Sequence, residues 1–118
     1  MLLCAEEVDR IPDEIPGVYI LHSFDPGSGF YPPVYVGKTR DLRVRLVQHL
    51  DSTSSTSPDV IVARSRFRIY LSAAPVLDTS ERDGVEGALI QVLRPRCNRQ
   101  VPRMVSVYPN LPPLTVGF

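Results

Sequence analysis

Lys38 is the only lysine in a chain that carries twelve arginines, and it directly follows Gly37 at the end of Val34-Tyr35-Val36. A lysine after glycine, between a strand and a helix, is where a nucleotide-binding loop places the cation that reaches the outer phosphates. Such a loop also needs a glycine five positions before Gly37, because its first turn wraps backbone amides around the phosphates. Position 32 is Pro32, which fixes its own φ and has no amide to donate. Gly37-Lys38-Thr39 therefore serves some chemistry other than a nucleotide cradle.

Other polar residues sit beside apolar stripes. Leu42, Leu46 and Leu50 repeat every four residues, which places them on one helical face. Arg45 and His49 flank that face and can lean along a sheet beneath it, while Arg43 falls inside the stripe and must reach water by snorkelling. A second stripe, Val85, Ala88, Leu89, Val92 and Leu93, carries Glu86 at its edge. A carboxylate there needs an arginine or a metal ion as partner. Tyr19 and Tyr35 fall in strand-like runs, and Asn98 follows Pro95. Taken singly, each has a structural use: the tyrosines as packing aromatics, Arg45 and Glu86 as an ion pair, Asn98 as a turn residue.

The elements that must position these residues can be read in order. Residues 5 to 15 are acidic and broken by prolines, and a first strand follows over residues 17 to 22. Five proline and glycine residues punctuate residues 23 to 33, a connection too long for a tight hairpin. A second strand over 34 to 37 leads to Asp41, a helix cap, and a helix over 42 to 50. Residues 51 to 59 are a polar, serine-rich surface loop. A third strand spans 66 to 72, with Phe67, Ile69 and Leu71 facing the core and Arg66, Arg68 and Tyr70 facing water. A second helix opens near Thr79 or Ser80 and ends before Pro95. From residue 99 onward, four prolines favour an extended arm. The sum is one α+β domain over residues 1 to 118, with its motif core at 17 to 98: a small, three-stranded, mostly antiparallel sheet flanked by helices.

The formal charge sums to zero, but it is unevenly placed. Residues 1 to 37 carry six acids against one base, whereas residues 38 to 103 carry twelve bases against seven acids. The second part suits phosphate as well as water. Two cysteines without a CxxC or histidine cluster suggest no zinc site and a reducing compartment. The N-terminal apolar run is too short for a secretion signal, and no later run has membrane-spanning length, so the expected location is cytoplasmic and without a membrane partner.

Taken together, the residues match a family. The chain resembles the GIY-YIG nucleases, with Gly17-Val18-Tyr19 at the Gly-Ile-Tyr motif and Tyr35-Val36-Gly37 at the Tyr-Ile-Gly motif. Arg45 stands where the family has its catalytic arginine, eight residues after Gly37. Residues 86 to 98 are most similar to the N-terminal nuclease domain of the bacterial excinuclease C proteins, with Glu86 as the metal-binding glutamate and Asn98 as the closing asparagine. Three features depart from the pattern: valines replace both isoleucines, the connection between the tyrosine motifs is longer and adds Tyr31 as an expected impostor near the site, and the 51 to 59 loop and C-terminal arm lie outside the family's extent.

The resemblance implies a DNA endonuclease or nickase that depends on Mg²⁺ or Mn²⁺. In that reading Tyr19 is the general base, helped by the positive charge of Lys38 and the metal. Tyr35 hydrogen-bonds around the water or phosphate, Arg45 clamps non-bridging oxygens, and Glu86 holds the cation. His49 contacts phosphate, assists the leaving group, or only orients its helix face. Gly17 and Gly37 support the motifs, and Asn98 braces the surroundings of Glu86. Arg40, Arg43, Arg66, Arg68, Arg94 and Arg96 are candidates for contacts to the DNA backbone, which position without specifying sequence. With little room for a recognition domain, the chain is expected to use a protein partner for targeting and to act as a monomer or weak dimer. The alternative is a module that keeps the fold and binds nucleic acid or protein without cutting.

Overall fold

The computed structural model describes residues 1–51 and 68–98. Its elements are α1 (Ala5–Val8), β1 (Gly17–Ser23), β2 (Pro33–Thr39), α2 (Leu42–Leu50), β3 (Ile69–Pro75) and α3 (Thr79–Leu93). The three strands form one sheet in the order β2-β1-β3, and both pairings are antiparallel. Among the described residues no helix is long and apolar enough to cross a membrane.

β1 is central because its side chains suit burial on both faces. Tyr19 and Leu21 point into one core with Leu42, Leu46, Ile69 and Leu71, while Val18 joins Val36 and Ile90 in a second. Alternation along the strand thus divides the molecule into an α2 side and an α3 side. α2 begins as expected from Asp41, whose carboxylate accepts the Val44 amide at 3.2 Å. α3 begins from the equivalent carboxylate of Asp78, which accepts from Glu81, and ends at Arg94 in the left-handed region (φ 46°) just before Pro95.

Two elements lie where the sequence reading did not place them. The third strand runs from Ile69 to Pro75, three residues later than expected. Arg66, Phe67, most of the serine-rich loop and the C-terminal arm lie outside the described residues. Residues 1 to 3 also add to the outer edge of β3, with Leu3 N–H donating to the Ile69 carbonyl at 2.8 Å and Leu2 bridging Tyr70. Nothing in their short apolar run signals a strand, because the pairing is non-local.

The apolar stripe assigned to α3 is only partly its buried face: Leu89 and Leu93 pack on the second core, and the other three residues do not. Val85, Ala88 and Val92 are exposed, whereas Arg82, Gly87 and Ile90 are buried. The cause is Arg82, whose guanidinium donates to the carbonyls of Val76 and Leu77 and to the Thr79 hydroxyl. A buried arginine so satisfied by backbone oxygens turns the helix by about a third of a circle from the face that apolar counting selects. The rotation carries Glu86 from the edge of the interface toward its middle.

Candidate active site

Both motif glycines are places where another chain atom occupies the space of a side chain. A Cβ on Gly17 would lie 2.4 Å from the Ala74 carbonyl oxygen and 2.9 Å from Leu42. A Cβ on Gly37 would lie 2.4 Å from the phenol oxygen of Tyr19. Gly37 is paired with Tyr19 across β1 and β2, and its missing side chain lets the phenol lie across the strand.

Tyr19, 1% exposed, is held from α2. Its phenol oxygen is 2.7 Å from Nε2 of His49, and Nε of Arg45 donates to the same oxygen at 3.3 Å. Arg45 and His49 are four residues apart, so one turn of α2 delivers both. A guanidinium can only donate, so Tyr19 accepts from Arg45; its own proton fits a neutral His49 that carries hydrogen on Nδ1 and accepts through Nε2. Arg45 is steadied by donating to Oε1 of Gln48 at 2.9 Å. Tyr35 completes the group, its ring centroid 6.1 Å from that of Tyr19 and 5.5 Å from that of His49.

Burial pushes the Tyr19 pKa well above that of an ordinary tyrosine, with neighbouring Tyr35 adding to the shift and the Arg45 charge opposing it. The phenol is therefore neutral around pH 7. His49 is fully buried behind it and faces Tyr19 rather than an open surface that could meet a phosphate.

Lys38 and Glu86 occupy the other face of β2. Lys38 Nζ lies 2.5 Å from Oδ1 of Asp83 and 3.8 Å from Oε1 of Glu86, on successive turns of α3. Burial raises the Glu86 pKa, against the lowering by the Lys38 charge. The Lys38 ammonium titrates higher than usual, chiefly because Asp83 accepts its hydrogen bond. The two half-sites meet at Gly37, near enough that the Glu86 charge contributes to raising Tyr19. Glu86 and Arg45 do not form the ion pair that a purely structural use of both would require; each has other partners. Asp83 is the member that sequence reading missed, and its spacing of three from Glu86 was the available signal.

Asn98 acts on β2. Its side chain accepts from the Val36 amide at 2.7 Å and donates to the Val36 carbonyl at 2.8 Å, so it clamps β2 between Tyr35 and Gly37. The candidate DNA-contacting arginines fall on separate segments of the chain. Arg40 is exposed beside the β2 end, Arg43 is paired with Asp13 at 2.7 Å, Arg94 and Arg96 are exposed past the end of α3, and Arg68 is exposed ahead of β3. Arg66 lies outside the described residues. Tyr31, despite its proximity in sequence, is away from the site and packs on Phe24 and Tyr70.

No protein-family model and no curated protein sequence matches the chain. Solved structures do. The GIY-YIG N-terminal endonuclease domain of UvrC from Thermotoga maritima, bound to its catalytic divalent cation magnesium, aligns with a TM-score of 0.59 and 26% identity over 80% of this chain and 99% of that one. A point mutant of the same domain, bound to its catalytic divalent cation, aligns with a TM-score of 0.58 and 26% identity over 80% of this chain and 98% of that one. With its antiparallel sheet in the order β2-β1-β3 and its motif residues gathered around Gly37, the chain has the fold of the GIY-YIG nuclease domain, that of the N-terminal domain of UvrC.

Proposed function

We propose that this domain is a divalent-metal-dependent endonuclease that hydrolyses DNA phosphodiester bonds by nicking or structure-directed cleavage, in DNA repair or recombination. The observation that carries the reading is Tyr19, held between a donor, Arg45, and an acceptor, His49, across Gly37 from the carboxylate of Glu86. A buried phenol needs one partner for packing, and here one turn of α2 brings it both a guanidinium donor and an imidazole acceptor.

The chain's own residues fit a hard cation. Glu86 is a mostly buried carboxylate, with its side chain 17% exposed, and its ion-pair partner Lys38 stands 3.8 Å away. Among the described residues there is no group of three or more His, Cys, Asp or Glu side chains that could form a closed metal cage. One carboxylate completed by water and substrate phosphate is a donor set suited to Mg²⁺ or Mn²⁺ and unsuited to structural zinc. When bound at Glu86, the cation supplies Lewis-acid stabilisation of charge on the phosphate and the leaving oxygen.

The general-base role of Tyr19 faces the high pKa that burial imposes. His49 resolves the difficulty: as Tyr19 takes a proton from the attacking water, its own proton passes to Nε2, and no phenolate need accumulate. Arg45 covers the phenol oxygen, and a phosphate is the ligand that draws a guanidinium away; its swing onto non-bridging oxygens both clamps substrate and uncovers the base. Lys38 adds positive charge at the same edge, and Tyr35 packs the two rings and offers a hydroxyl near the phosphate.

The test is cleavage of branched, nicked and plain duplex DNA with Mg²⁺ by the parent, Glu86→Ala and Tyr19→Phe chains. The expected result is cleavage by the parent and its loss in both variants. Equal activity in all three sinks the mechanism, and no activity on any substrate leaves a binding module that has kept the fold.

A further inference from the structure

The long connection between β1 and β2 builds a feature that the cleavage site does not use. Asp25 and Phe30 pair across its tip, and the Asp25 carboxylate accepts the Gly27 amide at 3.0 Å and the Ser28 hydroxyl at 2.8 Å. Gly29 takes the positive φ (75°) that closes the turn. This tip leaves Phe30 73% exposed and Tyr31 50% exposed. Tyr31 is nevertheless fixed: its ring packs at 5.0 Å on Phe24, tilted by 49°, and at 5.0 Å edge-on against Tyr70, and its carbonyl accepts from Nδ1 of His22. Exposed aromatics on a hydrogen-bonded turn lose little freedom when they bind, so they suit stacking against flat rings.

Arginines lie beside these rings. Arg96 lines a depression of about 230 Å³ with Phe24, Pro26, Pro32 and Asp25, whose carboxylate is engaged by the Gly27 amide and the Ser28 hydroxyl. Arg68 precedes Ile69, the partner of Ser23, so it enters the sheet next to Phe24. Aromatic faces interleaved with cations bind unpaired nucleotides, whose bases stack while their phosphates are neutralised; a duplex offers no free base faces. Ser23 lies four residues along β1 from Tyr19, or about 13 Å at ~3.3 Å per residue, so a strand crossing this surface lies within a few nucleotides of the site.

We propose that Phe30 and Tyr31, with Arg68 and Arg96, form a binding surface for unpaired DNA, which directs the proposed nuclease to junctions between single and double strands. The assignment deepens that function and rests on it for its setting. A stacked aromatic contributes at least about a fivefold gain in affinity per base.

The experiment uses the full chain carrying Glu86→Ala, so that binding is read without cleavage. Affinity is measured by anisotropy for a blunt duplex and for the same duplex with an oligothymidylate tail of about twelve nucleotides. Phe30→Ala should weaken tailed-duplex binding about fivefold or more and change blunt-duplex binding less than about twofold. Arg96→Ala should weaken tailed binding and flatten its salt slope by about 0.7, the value for one phosphate contact on a single strand. Since the chain contains no tryptophan, Phe30→Trp supplies a single reporter, whose emission should be quenched by the tail. Equal tailed affinity in Phe30→Ala, parallel loss on both DNAs, or an unquenched reporter overturns the proposal. Cleavage of a plain nicked duplex by the parent tests the nuclease reading separately, since that substrate has no tail.

Discussion

The phenol oxygen of Tyr19 and Nε2 of His49 are 2.7 Å apart, joined inside the core from positions 30 residues apart in the chain. In the proposed mechanism this contact gives the Tyr19 proton a destination, which would make His49 a relay acting through the residue it touches, with no contact to substrate. His49→Ala should lower the single-turnover cleavage rate by at least about 100-fold, the low end for losing a positioned acid or base. It should also cost about 1–3 kcal/mol of stability, because the buried phenol loses a partner. The rate is to be measured at temperatures where urea titration shows the variant fully folded. Near-parental cleavage there, together with an inactive Tyr19→Phe, removes the relay and keeps the base.

Glu86 yields a prediction of opposite signs for stability and activity. Its folded-state pKa is raised by burial, so the folded chain binds the proton more readily than the unfolded chain does. The ionised carboxylate therefore opposes folding once pH rises above the ordinary glutamate value near ~4.3, and it has no such effect below that value. Glu86→Gln should raise the urea midpoint at pH 7, lose that gain as pH falls toward ~4, and abolish cleavage. A lower midpoint at pH 7 would show that Lys38 contributes more than burial costs.

The sequence made the pairs of helix and strand visible, but not how they are rotated. β1, β2 and α2 follow from β-branched runs, from the Asp41 cap and from leucines every four residues, all local signals. The position of Asn98 was legible, its partner was not, because clamping Val36 is a contact between residues 62 apart. The face of α3 was misread because Arg82 is buried against carbonyl oxygens, and no scale of hydrophobicity anticipates a satisfied arginine. Residues 1 to 3 illustrate the same point for strands: an edge is chosen by what needs covering, here β3, and that is settled only once the sheet exists.

Asp83 should control how free Glu86 is to hold a cation. Lys38 is drawn to Asp83 at 2.5 Å and leaves Glu86 at 3.8 Å, and both the lysine and Asp83 are substantially exposed. Asp83→Asn removes the nearer attraction, and Lys38 then closes on Glu86. An exposed pair contributes no more than ~1 kcal/mol, so Mn²⁺ affinity should fall by a factor of about two to five. Paramagnetic resonance of free Mn²⁺ reads this without cleavage. Unchanged or tighter Mn²⁺ binding would mean that Lys38 does not close on Glu86 once Asp83 is neutral.

The two motif glycines should fail in different ways when replaced by alanine. At Gly17 the new methyl meets a backbone carbonyl, that of Ala74, which belongs to the neighbouring strand and cannot turn aside. At Gly37 it meets the Tyr19 ring, a side chain that can tilt at the expense of its bonds to Arg45 and His49. Overpacking costs about 1–3 kcal/mol, and the stiffer neighbour puts Gly17→Ala at the upper end, with β1 and β3 forced apart. Gly37→Ala should lose less stability and more activity, about 100-fold or greater, because the displaced phenol no longer lies where its donor and acceptor hold it. Urea unfolding and single-turnover cleavage of the two variants should therefore rank them in opposite orders. The same order in both assays would mean that Gly37 serves only the packing of β2 on β1.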